Sequence, residues 1–319
     1  MKNRTMLWIM IALALILIGC VLFGGVMMAL NWDFSKLTTI KYETNEYNPD
    51  GQFDSISIDT DTADIRFVLA DKSSVSCYEE KNAKHSVSVK DGTLRIELEK
   101  TKKWYDYIGI GFDTPKITVY LSETQLNTLT IKGHTGDVEI PKEFLFENMD
   151  IAVTTGHITN CASTSGDMSI KTSTGGISLE NLSVGTMKLS VTTGKIMGKS
   201  IHCAGEMNIQ VDTGDVQLSD VRCKALVSGG DTGDLHLKNV IAEEIFSLAR
   251  STGDISFDGC DASEIFVETS TGSVKGSLLS EKIFLAESDT GRVEVPKSVT
   301  GGRCEITTDT GNIKITVNP

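Results

Sequence analysis

The chain has 319 residues, 40% hydrophobic and 6% aromatic, with 29 glycines, 5 prolines and a formal net charge of −13. This is the composition of an ordered globular chain and excludes disorder and collagen-like repeats. Lys2 and Arg4 are the only charges before a long apolar segment, so the rest carries −15 without a basic stripe, which excludes nucleic-acid binding.

The first predicted element is a transmembrane helix over residues 7–30, 24 positions without a charged side chain. As a helix it spans about 36 Å, more than the roughly 30 Å hydrocarbon core of a bilayer. Lys2 and Arg4 precede it and Trp32 follows it. The positive-inside rule therefore places residues 1–6 in the cytoplasm and the body outside, at the cell membrane. A cleaved signal peptide has a shorter apolar core and a small-residue exit. Leu17-Ile18-Gly19-Cys20 has the form of a bacterial lipobox, in which Cys20 would be lipidated, but Val21 to Leu30 stay apolar where a mature lipoprotein turns polar.

Residues 31–51 read as a polar connector and residues 52–130 as an irregular β region that caps the body. Phe53 to Thr60 alternate apolar and polar side chains, as a half-buried strand does. Asp61-Thr62-Ala63-Asp64 is a degenerate copy of a turn that recurs later, and Asp91-Gly92 predicts a hairpin. Trp104, Tyr105, Tyr107 and Phe112 form the densest aromatic patch outside the anchor. They read either as a loop folded over the end of the core or as a contact surface for a partner or a sugar.

Over residues 131–319 one motif dominates. Thr-Gly, a variable residue and then an aliphatic one recur with glycines at 136, 156, 175, 194, 214, 233, 253, 272, 291 and 311, each step being 19 or 20 residues. Self-similarity at this period predicts an all-β fold, a single-stranded β-solenoid of about 20 residues per coil. Ten coils spaced about 4.8 Å apart give a stack of roughly 50 Å. Ser165-Gly166-Asp167-Met168 is a half-period copy that predicts a second corner per coil, and Ser228-Gly229-Gly230 predicts a bulge. Cys203 and Cys223 lie one period apart in the register of Ala242 and Ala262, which predicts a column of small buried side chains, with a disulfide between coils as the rival.

Thr114-Pro115-Lys116-Ile117-Thr118-Val119-Tyr120-Leu121, then Leu129-Thr130-Ile131 and the Thr-Gly-Asp turns, resemble the bacterial "putative adhesin" family of β-strand-repeat domains of unknown function. That family includes LiaG-like membrane-anchored proteins. The resemblance covers residues 50–319, with one departure: the family commonly has a proline near Ser122. It implies an extracytoplasmic, non-enzymatic protein associated with envelope stress or adhesion, and it brings no catalytic residues.

The recurring turn is the natural place to look for chemistry. Its glycine is explained by positive φ, and its Thr and Asp by hydrogen bonds to turn backbone. Asp212, Asp215, Asp231, Asp234 and Asp254 fall on adjacent corners, where clustered carboxylates would attract calcium. However, the Gly-Gly-x-Gly-x-Asp nonapeptide of calcium β-rolls is missing, and other corners carry His157, Gly176, Lys195, Ser273 or Arg292 in place of aspartate. No Gly-x-Ser-x-Gly elbow or His-Glu-x-x-His motif is present, and the 5 histidines are scattered. The sequence therefore reads as a membrane-anchored, non-catalytic binding or scaffold module at the cell envelope, with envelope proteins or cell-wall glycans as partners. The alternatives are a surface adhesin and a polysaccharide-active enzyme using paired carboxylates. If the apolar segment is an uncleaved anchor, Cys20→Ser leaves membrane retention and apparent mass unchanged. A mass loss of lipid size would identify Cys20 as the lipid attachment site.

Overall fold

The computed structural model describes residues 2–99, 111 and 113–318, so Trp104, Tyr105, Tyr107 and Phe112 lie outside the described residues. Two compact units are present. One comprises Met1–Glu43, Glu80–Ala83 and Lys100–Asp113; the other comprises Thr44–Glu79, Lys84–Glu99 and Thr114–Pro319.

The first unit holds helix α1, Lys2–Ala29. Its segment Met6–Ala29 has a mean hydropathy of 2.9 and is long and apolar enough to cross a membrane or to serve as a signal sequence. Nearly all of its large apolar side chains are exposed, from Leu7 to Met28, as expected of a helix that buries its surface in lipid.

The second unit is a parallel β-solenoid. Each strand before a Thr-Gly corner pairs in register with its equivalent one coil away, as Ile151 does with Ile131 and Ile170. The strand after the corner does the same: Val138, Ile158, Ile177, Ile196, Val216, Leu235, Ile255, Val274 and Ile313 form one column. All nine are buried to 2% exposure or less. Alternation thus places one face of the strands inside the stack in a continuous core that no single coil could close alone.

The corner itself is a backbone joint. The Gly136 N–H donates to Thr155 O, Gly214 to Thr232 O and Gly272 to Thr310 O, in one unbroken series along the stack. The corner glycines from Gly136 to Gly253, and Gly311, adopt φ between 131° at Gly233 and 154° at Gly311. A Cβ at Gly214 would collide with the carbonyl oxygen of Gly194, and the same holds at every rung. Ala63 is the one rung without a glycine, and it lies at the start of the series, where Thr62 pairs with Thr135. The degenerate copy is therefore a true coil.

The central coils have three turns instead of the two expected. Asn181, Ser200, Asp220 and Asn239 adopt left-handed φ of 51–55°, with Gly259 at 63°, and Asn239 Nδ2 donates to Asp220 Oδ1 at 2.7 Å. Short polar side chains tolerate this conformation, so the column is held by residue type without a fixed residue. A third turn stacks Gly166, Gly185 and Gly205, whose backbones approach too closely for a Cβ at Gly185.

The expected bulge at Ser228-Gly229-Gly230 does not occur. The register shift lies at Cys223/Ala225 instead, and residues 225–228 pair regularly with 245–248. The small residues leave room for the Val211 carbonyl and for a buried arginine. Arg250, 3% exposed, points inward beside Gly230 and donates to Ser228 Oγ at 3.0 Å and Ala249 O at 2.6 Å. Burial lowers its guanidinium to about 10. Cys203, Cys223, Ala242 and Ala262 are all buried, and both cysteines are free.

At both ends, spatial order departs from chain order. Strands β1 (Tyr42–Tyr47), β2 (Ser55–Thr62), β3 (Asp64–Leu69), β4 (Ser74–Glu80), β5 (His85–Lys90), β6 (Thr93–Leu98), β7 (Lys116–Leu121), β8 (Gln125–Thr135) and β9 (Val138–Ile140) open the body. β2 lies between β6 and β8, and β3 between β7 and β9, all parallel. Antiparallel β5 and β4 then border β6 and β7, as expected of a cap. At the other end Gly302–Thr310 inserts between Glu264–Thr271 and Lys282–Thr290. Ser122, where the resembled family commonly has proline, uses its N–H to bond Ser73 Oγ at 3.1 Å, a bond proline cannot make.

Gly214→Ala should cost about 3 kcal/mol in denaturant unfolding, since it combines a steric clash with φ strain in a packed backbone. A loss below about 1 kcal/mol would mean that the corner relaxes and that the close approach is not required.

Candidate functional site

The residue after each corner glycine forms a second ladder, made by side chains. Asp64 Oδ1 accepts from Asp137 N–H at 3.0 Å, Asp137 Oδ1 from His157 N–H at 2.7 Å, and His157 Nδ1 from Gly176 N–H at 3.2 Å. Gly176 and Lys195 interrupt it. It resumes from Asp215 Oδ1 to Asp234 N–H (3.2 Å), Asp234 to Asp254 (2.8 Å), Asp254 to Ser273 (2.8 Å), Ser273 Oγ to Asn312 (3.3 Å) and Asn312 to Arg292 (2.9 Å). The position thus calls for any short acceptor, and Arg292, on the last rung, only donates.

The second oxygens of the acidic corners have partners too. Asp215 Oδ2 lies 3.1 Å from Lys195 Nζ, Asp254 Oδ2 3.4 Å from Lys275 Nζ and Asp234 Oδ2 3.8 Å from His236 Nε2. The Lys195 hydrogen bond holds the Asp215 carboxyl below its usual value. Asp212 and Asp231 precede their corners on the strand side; Asp212 Oδ1 accepts from Gln210 Nε2 at 3.5 Å, and Asp231 is exposed. The structure therefore brings Asp215, Asp234 and Asp254 into one column and leaves Asp212 and Asp231 outside it.

Two features not anticipated from sequence lie elsewhere. A cavity of about 580 Å³ opens on the outer face beyond the corner, lined by Glu180, Met197, Lys199, Gln217, His236 and Lys238 among others. Met197, Gln217 and His236 are consecutive outward positions in neighbouring coils, and Met197 is 47% exposed. The other feature is buried in the cap, where Cys77, Glu79 and His85 place their ligand atoms within 4.8 Å of one another. Among the described residues this is the one such group of three or more.

The Toastrack DUF4097 family model matches residues 53–204 and 199–319. The chain belongs to the Toastrack DUF4097 family. No curated protein matches it. Similar solved structures include a "putative adhesin" from Bacteroides fragilis, at 19% identity and TM-score 0.33, covering 86% of this chain and 97% of that one. Another, from Parabacteroides distasonis, has 14% identity, TM-score 0.43 and the same coverages. A "putative lipid binding protein" from Parabacteroides distasonis has 16% identity and TM-score 0.35, covering 75% and 97%. At such values none of them assigns a ligand to this chain.

In this Toastrack body the buried cap cluster joins four strands. Glu79 Oε2 accepts from His85 N–H and faces His85 Nδ1, each at 2.7 Å. Glu79 Oε1 accepts from Asn45 Nδ2 at 2.7 Å, and the Tyr47 hydroxyl donates to His85 O at 2.9 Å. Thr60 Oγ1 meets His85 Nε2 at 2.9 Å. Burial alone would raise the Glu79 carboxyl, but the His85 and Asn45 hydrogen bonds outweigh it and hold the group below its ordinary value. Burial, then the nearby Glu79, pushes the Cys77 thiol up to about 12. One signal was visible in the sequence: in Val75-Ser76-Cys77-Tyr78-Glu79 a carboxylate occupies an inward position of an alternating strand.

Asp254→Asn keeps the rung acceptor and should leave stability within about 0.5 kcal/mol of the parent, while Asp254→Ala should lose about 1 kcal/mol. Calcium should not change either value. A calcium-dependent stabilisation abolished by Asp254→Asn would instead identify the column as a cation site.

Proposed function

We propose that this Toastrack protein is a membrane-anchored, non-catalytic binding scaffold at the bacterial cell envelope. The observation that carries the reading is the side-chain ladder: acceptors at the recurring corner bond the next coil, so the repeat builds a rigid frame. What varies from coil to coil is the outward face, and a contact surface needs such variation. The cavity is lined by the apolar Leu179, Met197 and Leu218 together with Gln217, His236, Glu180, Lys199 and Lys238. This mixture suits an envelope protein or a cell-wall glycan presenting hydroxyl and charged groups. The helix Met6–Ala29 supplies the tether, with the body on the outer side.

Pull-down from envelope fractions and glycan arrays tests the proposal. Replacing both Met197 and Lys199 by glutamate should weaken capture at least tenfold, while Asp231→Asn should leave it unchanged. Release of shortened saccharide, lost on replacing Asp212, Asp215, Asp231 and Asp234, would make the protein an enzyme and overturn the reading.

A further inference from the structure

We propose that Cys77, Glu79 and His85 form a buried binding site for a single zinc ion, a site independent of the outer-face cavity. Cys77 and Glu79 are two residues apart on the inward face of β4, and His85 opens β5 beside them. Their residue exposures are 0%, 1% and 3%. Thiolate, imidazole and carboxylate are the donors that zinc takes, at about 2.0–2.3 Å; around a tetrahedral ion such donors stand roughly 3.3–3.6 Å apart. The three ligand atoms already lie within 4.8 Å of one another. The 2.7 Å contact between Glu79 Oε2 and His85 Nδ1 has to open, by about 0.6 Å for that geometry, and any pair standing wider than it has to close onto the ion.

The atoms that would face away from the ion are anchored. Asn45 holds Glu79 Oε1, and Thr60 holds His85 Nε2. Zinc ligands characteristically have such outer partners, which fix ring orientation and tautomer. The Cys77 thiol is the one member of the trio without a hydrogen bond among the described residues, a state it shares with buried Cys304, whereas Cys203, Cys223 and Cys260 each reach a carbonyl. Charge points the same way. Without metal, the core holds a carboxylate among neutral partners when His85 is neutral. With Zn2+, a thiolate and a carboxylate cancel the ion's two charges, giving a neutral site, which a buried environment favours.

Protons balance in the exchange. Zinc enters and the Cys77 S–H proton leaves to solvent. From the neutral imidazole, the ring proton moves from Nδ1 to Nε2, and the Nε2–H then donates a hydrogen bond to Thr60 Oγ1. The fourth position of a tetrahedral ion falls to a water molecule.

The test uses the full chain purified in detergent, stripped of metal and titrated with Zn2+, and with Co2+ as a spectroscopic stand-in. The expected result is one ion per chain, a cobalt–thiolate charge-transfer band and a melting temperature raised by zinc. Cys77→Ala should abolish the band and weaken zinc binding at least tenfold while circular dichroism shows the solenoid retained. Should that variant unfold, Thr60→Val, which removes only the outer partner of His85, should still weaken binding severalfold. Cys203→Ala with Cys223→Ala should change neither. Absence of stoichiometric zinc uptake by the parent, or a thiolate band that survives Cys77→Ala and disappears with the other pair, would overturn the proposal.

Discussion

The body depends on one steric constraint, the contact of each corner glycine with the carbonyl of its neighbour in the stack. In that place any Cβ would enter the van der Waals space of a backbone oxygen, so the coils approach closely enough for the Thr carbonyl of the next coil to accept the glycine N–H. That approach sets the register of the strands on both sides. It aligns the aliphatic column after the corner, and it brings the following side chain within reach of the next backbone amide. Core packing, ladder and outer-face columns all descend from it.

The glycine period was legible in sequence because the constraint is absolute and repeats. Softer constraints left no such trace. The left-handed column of Asn181, Ser200, Asp220 and Asn239 escapes a motif search because several short polar residues satisfy it. The corner aspartates read as bonding the backbone of their own turn; their partners lie one coil away, and no local pattern shows a bond at separation 19 or 20. Ser228-Gly229-Gly230 looked like a bulge because glycine has many uses, and the reason for Gly230 is the Val211 carbonyl one coil back, which a Cβ would strike, with Arg250 packed beside it.

The cap cluster illustrates a different limit. Thr60, Cys77, Glu79 and His85 are spread over 26 residues, too irregularly for a metal motif, and only the antiparallel return of β5 collects them. The strand alternation places Glu79 inward, and a buried carboxylate requires compensation, so the sequence contained the question without the answer. Of the aspartates that did attract notice, Asp215, Asp234 and Asp254 are rungs of the corner ladder.

The interleaving of coils at the two ends bears on how the body assembles. Gly302–Thr310 lies between two segments made earlier, Glu264–Thr271 and Lys282–Thr290, so the stack cannot grow by adding coils in the order of synthesis. Lys282–Thr290 must wait, unpaired, for its inner neighbour to arrive. Once in place, the final coil is gripped on both edges and cannot peel away singly, as an outermost repeat does in a simple linear array. Unravelling from this face of the stack therefore has to begin at Lys282–Thr290, in the middle of a covalent loop with no free end to pull on.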